Sequence, residues 1–301
     1  RPEREQNNRP TYRENWWIFG EPRSQFRPVL RGLARFIATV ETAKHRVFVF
    51  LPTLTIPDNK LIVIGSDDAY LLGCLSSRVH VCWAHGTGAT LEDRPVYVKT
   101  TGFDPFPFPA CSENQVQRIR ALGEALDAHR KRQQALHPKL TITGMYNVLE
   151  KLRSGEPLTE KERVIHEQGL VSVLKQIHDD LDAAVFEAYG WPATLSDEEI
   201  LERLVALNHE RAEEEKRGLV RWLRPEFQNP EGAKAATQAL ASAASRAMSA
   251  KRPNRAVTRG VGATILPGLA LRDGVPAELR TLVAVPILLT TREALEEHIE
   301  R

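Results

Sequence analysis

Arg35-Phe36-Ile37-Ala38-Thr39-Val40, Arg46-Val47-Phe48-Val49-Phe50-Leu51 and Lys60-Leu61-Ile62-Val63-Ile64 are three short runs rich in β-branched and aromatic residues. Each is bounded by Pro, Asp-Asn or Gly, so this part of the chain reads as three strands of a small sheet. Beyond them, Ser66 or Asp67 is placed to cap a helix. In it Tyr70, Leu71, Leu75, Val79 and Trp83 recur three or four apart, with an end expected near His85-Gly86. Gly88 to Arg94 reads as a loop and Val96-Tyr97-Val98 as a further short strand. Asp104-Pro105-Phe106-Pro107-Phe108-Pro109 must be extended and stiff, since each proline fixes its own φ and biases the preceding residue away from helix. That segment marks the expected first domain boundary.

Upstream, the first twenty residues mix Asn7, Asn8, Arg9 and Arg13 with Tyr12, Trp16, Trp17 and Phe19 and show no regular period, so they read as loop and short turns. Downstream the pattern is helical. Glu113–Leu136, Thr141–Arg153, Thr159–Tyr189 and Ser196–Arg217 are the expected helices; Gly190-Trp191-Pro192 closes the third and Ser196-x-x-Glu199 is a capping box opening the fourth. Leu140, Met145, Tyr146 and Leu149, with Leu170, Leu174, Ile177, Leu181 and Val185, form stripes suited to a shared core. Nine alanines in residues 231–250, then Lys251-Arg252-Pro253-Asn254-Arg255, suggest a surface helix and linker. Residues 260–301 alternate Gly, Pro and apolar groups and end as a short amphipathic helix from Thr291, with no assignable role. The expectation is therefore an α+β chain: a small mixed sheet with helices at 1–110, an all-helical domain at 111–230, and an Ala-rich linker with an unassigned tail at 231–301.

Composition fits this division. With 301 residues, 42% hydrophobic and 27% charged, the chain is long enough for a real core and is neither fibrous nor compositionally disordered. The net charge is only +2, but it is unevenly spread: residues 1–50 carry ten basic against five acidic side chains, and residues 111–230 carry 17 against 21. A basic front and an acidic middle suit a modular protein that turns one face to a polyanion. The three cysteines, Cys74, Cys82 and Cys111, form no Cys-x-x-Cys unit and cannot all pair, so a reducing, cytoplasmic setting is expected. The apolar run Leu282–Leu289 contains Pro286 and falls far short of the roughly 20 residues a membrane helix needs, so no membrane partner is expected. The chain opens on Arg1-Pro2-Glu3-Arg4 rather than methionine and a signal segment, which suggests a fragment of a longer protein.

Catalytic patterns are weak. Asp104-Pro105-Phe106-Pro107 is one residue away from the Asp-Pro-Pro-aromatic loop that holds an exocyclic amine in amino-methyltransferases, but Phe106 separates the prolines. No strand and glycine-rich turn precede it to hold a cofactor, and Asn229-Pro230 is followed by Glu231 rather than an aromatic. On a helix His80, Cys82 and His85 point different ways and do not make a metal set. His166 and His178, the latter beside Asp179, Asp180 and Asp182, fit core or surface roles better than catalysis. Gly86-x-Gly88 lacks the lysine of a phosphate loop.

What remains is the basic, aromatic front. Arg9, Arg13, Arg23, Arg27, Arg31, Lys44 and Arg46 suit phosphate, and Asn8 and the arginines have the donor geometry to read purine edges. Arg78 and His80, beside the sheet, either line the same cleft or hold the domain together. Taken singly each of these residues also fits a solvated face. As a group, Asn8, Arg9, Arg13, Arg23, Lys44, Arg46, Arg78 and His80 are the candidate nucleic-acid contacts.

The order of short motifs is more specific. Asn7-Asn8-Arg9, Glu14-Asn15-Trp16-Trp17-Ile18-Phe19-Gly20, Arg35–Thr39, Lys44–Phe48, Asp58–Ile64, Leu75–His80, Trp83 and Phe103–Pro109 together resemble one domain. It is the target recognition domain of the large class I adenine-N6 DNA methyltransferases, including type IIL restriction-modification fusion enzymes. Leu140–Asn147, Leu181–Val185, Ala188–Pro192, Leu204–Arg211 and Trp222–Gln228 resemble the helical segment of the same family. The resemblance covers roughly residues 6–229. It implies sequence-specific binding of double-stranded DNA by a chain that contains no catalytic or cofactor residues itself. An upstream methyltransferase domain would bind S-adenosylmethionine and methylate adenine N6 after base flipping. Two other classes compete: a complete enzyme with an unfamiliar active site, and a non-catalytic interaction module whose helices present a partner surface.

Overall fold

The computed structural model describes residues 2–16, 26–91 and 94–235. The described residues up to Ala233 belong to one compact unit. The expectations for the tail beyond residue 235, and for Trp17, Phe19 and Arg23, fall outside the described residues.

The N-terminal stretch is more helical than its sequence suggests, with α1 (Pro2–Glu5), α2 (Pro10–Glu14) and α3 (Phe26–Val29). Pro10 opens α2 at a position where its missing N–H costs nothing. The sheet follows: β1 (Arg35–Val40), β2 (Val49–Pro52) and β3 (Leu61–Ile64), in the order β2-β1-β3 with both pairings antiparallel. The central strand is buried on both faces. Phe36 and Ala38 join Leu30 in a cluster that takes in Phe26, Val29 and Leu33, while Ile37 packs into the opposite cluster with Phe48, Phe50, Leu72, Leu75 and Tyr97. The second strand starts later than expected, at Val49. Arg46 and Val47 precede it and are tied instead to the end of β1, where Thr39 Oγ1 donates to Val47 O at 2.8 Å.

The long helix expected from residue 66 to 86 is two helices, α4 (Ala69–Ser76) and α5 (Arg78–Thr87). Asp68, rather than Ser66 or Asp67, caps the first by accepting from Tyr70 N–H. Ser77 makes the break. Its hydroxyl donates to Cys74 O at 2.7 Å and its oxygen accepts from His80 N–H, so one extended residue closes α4 and caps α5. The expected loop at 88–94 holds a small hairpin, β4 (Ala89–Leu91) with β5 (Arg94–Val96), so the last strand ends at Val96 rather than running to Val98.

In the helical segment, α6 (Glu113–Leu136), α7 (Ile142–Ser154) and α10 (Asp197–Lys216) lie where their caps place them, with Ser112, Thr141 and Ser196 each accepting from a backbone N–H three residues on. The expected helix 159–189 is instead α8 (Glu160–Gly169) and α9 (Val171–Tyr189), divided at Leu170, which adopts φ 43°. Gly169 packs so closely that a Cβ there would meet Met145 at 3.0 Å. The chain turns beside this close approach, where the apolar period alone reads straight through. A last short helix, α11, spans Pro225–Gln228.

Two devices join sheet and helices. The first is helix α6, one face of which covers the edge strand β2. Asp127 Oδ1 accepts Phe50 N–H at 3.1 Å, Lys131 Nζ donates to Phe50 O at 2.7 Å, and Arg130 Nη2 donates to Phe48 O at 2.8 Å. These are the groups a fourth strand would pair, so charged side chains at helical spacing shield the open edge. The second is the proline strap 104–109. Its proline carbonyls accept from three helices: Pro105 from Asn208 at 2.6 Å, Pro107 from Tyr189 at 2.8 Å and Pro109 from Tyr70 at 3.4 Å. Phe106 of the strap packs 4.4 Å from the His80 ring, inside a core shared by α5, α6, α7, α9 and α10.

Candidate nucleic-acid interface

The sequence candidates separate into those committed to the fold and those left in solvent. Arg46 is only 6% exposed. Its guanidinium donates to Thr39 Oγ1 at 3.1 Å, Glu41 O at 3.3 Å, Pro95 O at 3.1 Å and the Val40 carbonyl, and lies 5.0 Å from the Tyr97 ring centre. Burial lowers its pKa to about 10, so it stays charged at neutral pH. In this arrangement it joins the end of β1 to the β5 hairpin and does not reach a phosphate. His80 is fully buried, with Nε2 2.9 Å from the Tyr97 hydroxyl. Arg78 forms an ion pair with Asp197 at 2.5 Å, and its backbone N–H donates to Asp182 Oδ1 at 2.6 Å. Lys44 sits 2.7 Å from Glu150 and donates to Asn147 at 3.1 Å, while His45 lies 2.8 Å from the same Asn147 oxygen. The Lys44–Glu150 pair is more than half exposed, and such pairs contribute roughly 0–1 kcal/mol, so Lys44 exchanges partners at little cost.

Asn8, Arg9 and Arg13 are exposed. Arg9 N–H donates to Asn7 Oδ1 at 2.9 Å, which starts α2, and its guanidinium stands 5.6 Å from the Tyr12 ring centre. Arg13 occupies the last turn of that helix. Arg27 and Arg31 are also exposed; Arg27 Nη1 donates to Thr53 O at 3.1 Å, at the start of the β2–β3 connection. The structure thus leaves Asn8, Arg9, Arg13, Arg27 and Arg31 in solvent and commits Arg46, His80 and Arg78 to internal contacts.

Three residues of consequence were not read from the sequence. Arg224 returns from the far end of the helical segment to donate to Val29 O at 2.6 Å, Gly65 O at 3.0 Å and Arg31 O at 3.1 Å, so it holds the basic turn after α3 against the sheet. No local pattern announces it. Leu54 and Ile56, between β2 and β3, are 89% and 74% exposed. Their signal was available: two large apolar residues between Pro52 and Pro57, each flanked by threonine or proline.

The two buried histidines give the unit a defined response to pH. Arg130 Nη1 donates to the Tyr146 oxygen at 3.1 Å, so the Tyr146 hydroxyl proton is directed at His178 Nε2, 2.8 Å away, which must accept it unprotonated. Burial, with nearby arginines second, pushes His80 and His178 each down to about 3. The unfolded chain binds these protons from about pH 6.5 downward and the folded chain does not, so stability falls as pH drops through that window. The expected loss is about 2 kcal/mol per histidine by pH 5, offset by about 1 kcal/mol from Asp182, whose carboxyl burial raises to about 6. Urea unfolding at pH 7.5 and pH 5 checks this, and His178→Gln should flatten the pH dependence of the midpoint.

Among the described residues no group of three or more His, Cys, Asp or Glu is placed to hold a metal ion, and no helix is long and apolar enough to cross a membrane.

Comparison with known proteins bears on the segment that holds the sheet. Residues 35–110 match the family described as the target recognition domain of MmeI. The chain is 31% identical over 160 residues to DNA methyltransferase A of Bacillus subtilis (strain 168), an alignment covering 53% of this chain and 15% of that protein. Among solved structures, the type IIL restriction-modification enzyme MmeI in complex with DNA is similar at 21% identity, with a TM-score of 0.47 over 60% of this chain and 22% of that one. The family match and the curated relative agree with the resemblance read from the sequence: residues 35–110 are similar to a target recognition domain and 160 residues are similar to part of a DNA methyltransferase, of whose length the chain spans only 15%.

Proposed function

We propose that this chain binds double-stranded DNA and selects its sequence as the C-terminal part of a DNA adenine-N6 methyltransferase of a restriction-modification system. The observation that carries the reading is the match of residues 35–110, the sheet and its α4–α5 cover, to a target recognition domain. Exposed Asn8, Arg9, Arg13, Arg27 and Arg31 support it by supplying phosphate donors on the N-terminal side of the sheet sequence. The division of labour follows the same reading: residues 1–110 grip the duplex, and residues 111–230 brace that grip. S-adenosylmethionine, the flipped adenine and the methyl transfer belong to an upstream domain, and the setting is the cytoplasm.

Binding of the full chain to mixed-sequence duplex over a range of salt concentrations tests this. Each phosphate contact contributes about 0.9 to the slope of log K against log salt, so Arg9→Ala/Arg13→Ala/Arg31→Ala should reduce that slope by up to about 3. Arg46 is left intact because its replacement would disturb the fold. Absence of salt-dependent binding by the wild-type chain would reject the reading.

One observation favours a second reading, a helical module for protein partners. Leu219, Val220, Trp222 and Leu223 are all more than a third exposed and border a groove of about 540 Å³ beside the proline strap. That reading expects complex formation indifferent to DNA and to salt.

A further inference from the structure

We propose that Leu54 and Ile56 form an apolar wedge that enters a base step of bound duplex DNA, with Arg27 holding the adjoining phosphate. The proposal rests on the duplex-binding reading above and deepens it.

Leu54 and Ile56 are the most exposed large apolar side chains among the described residues. Neither belongs to any of the three apolar clusters of the core. Their exposure therefore serves no packing role among the described residues, and in water it is unfavourable.

The loop that carries them is held rather than loose. Thr53 N–H and its hydroxyl both donate to Ala34 O, at 3.2 and 3.3 Å, and Thr55 N–H closes a turn onto Pro52 O at 2.9 Å. At the far end Asp58 Oδ1 accepts Lys60 N–H at 2.9 Å and Asp58 O accepts Leu61 N–H at 3.1 Å. Pro52 and Pro57 restrict the backbone between these ties. A tip ordered before binding loses little conformational freedom on binding.

Charge and size select the occupant. Arg27 reaches the base of the loop through its bond to Thr53 O and keeps its remaining guanidinium donors in solvent. The loop's carboxylate, Asp58, is engaged at the opposite end with Lys60 N–H. Two apolar side chains, with Thr53 and Thr55 beside them in the chain and Arg27 bound at Thr53 O, present far less than the roughly 800 Å² per partner that a stable protein interface buries. They match a gap between base pairs, where leucine and isoleucine wedges unstack a step and bend the duplex. The same loop joins β2 to β3 within residues 35–110, the segment that matches a target recognition domain.

The test uses the full 301-residue chain, a mixed-sequence duplex, and permanganate, which oxidises thymines once they are unstacked. The wild-type chain should raise thymine reactivity several-fold within its footprint. Leu54→Ser/Ile56→Ser should abolish the rise and weaken binding by about tenfold or more, with an unchanged salt slope because the phosphate contacts remain. Leu54→Met/Ile56→Met, which keeps apolar bulk, should restore both. Salt-dependent binding without enhanced reactivity, or equal reactivity in wild type and the serine variant, would overturn the wedge and leave the duplex-binding reading in place. No duplex binding by the wild-type chain would overturn both.

Discussion

Arg130→Ala is expected to lower the unfolding free energy by about 3–5 kcal/mol, measured by urea denaturation at pH 7.5. The side chain is 1% exposed and spans from helix α6 to the sheet edge on one side and to the Tyr146–His178 pair on the other. Truncation leaves Phe48 O without its donor, frees the Tyr146 hydroxyl from the contact that orients it, and opens a cavity of side-chain size. Lysine cannot substitute for it, because a single ammonium does not reproduce two donors held apart in one plane. Arg130→Lys should therefore recover only part of the loss, while Arg132→Ala, at an exposed position on the same helix, should stay within about 0.5 kcal/mol of wild type. A loss under 1 kcal/mol for Arg130→Ala would mean that the sheet edge is satisfied without α6.

Gly123→Ala is expected to cost about 3 kcal/mol through overpacking rather than loss. Helices α4 and α6 cross at Gly73 and Gly123. A Cβ at Gly123 would collide with Ala69 O and lie 3.2 Å from Gly73 N, and one at Gly73 would lie 2.8 Å from Ile119 Cγ2 and 3.0 Å from Ile119 O. The obstacles are largely backbone, so no rotamer change relieves them and the helices must move apart. Movement there also pulls Asp127, Arg130 and Lys131 away from β2, so Gly123→Ala and Arg130→Ala should be less than additive in the double variant. An alanine at Gly123 that leaves the thermal midpoint unchanged would show that the crossing has slack.

How far this was legible in the sequence depends on the range of the interaction. Helix α6 began after Ser112 and α10 after Ser196 because a side-chain acceptor and the backbone donor it satisfies lie three residues apart. Ser77 carried the same kind of local signal, but the apolar period on both sides masked it. Leu170 carried none: it adopts φ 43° beside Gly169, where helices α7 and α8 approach so closely that a Cβ would meet Met145.

The candidate site shows the same division more sharply. As sequence, Arg9, Arg13, Arg46 and Arg78 are equivalent basic residues in a basic or sheet-flanking region. In the folded chain Arg78 meets Asp197, Arg46 meets carbonyls from two strand ends, and Arg9 and Arg13 stay in solvent. The motif order across residues 7–109 that resembles a target recognition domain needed no structure, and residues 35–110 of that span match such a family.

The sequence by itself determined the class of the chain, the approximate positions of its three main strands, the starts of α6, α7, α8 and α10, and the resemblance of its first part to a target recognition domain, because periodicity, caps and motif order are properties of neighbouring residues. Only the tertiary structure decided which cations are free, how α6 covers the edge of β2, and that Leu54 and Ile56 project from a braced loop. Those outcomes depend on partners dozens to nearly two hundred residues away. A side chain has the same identity in the sequence whether it ends in water or against a distant carbonyl.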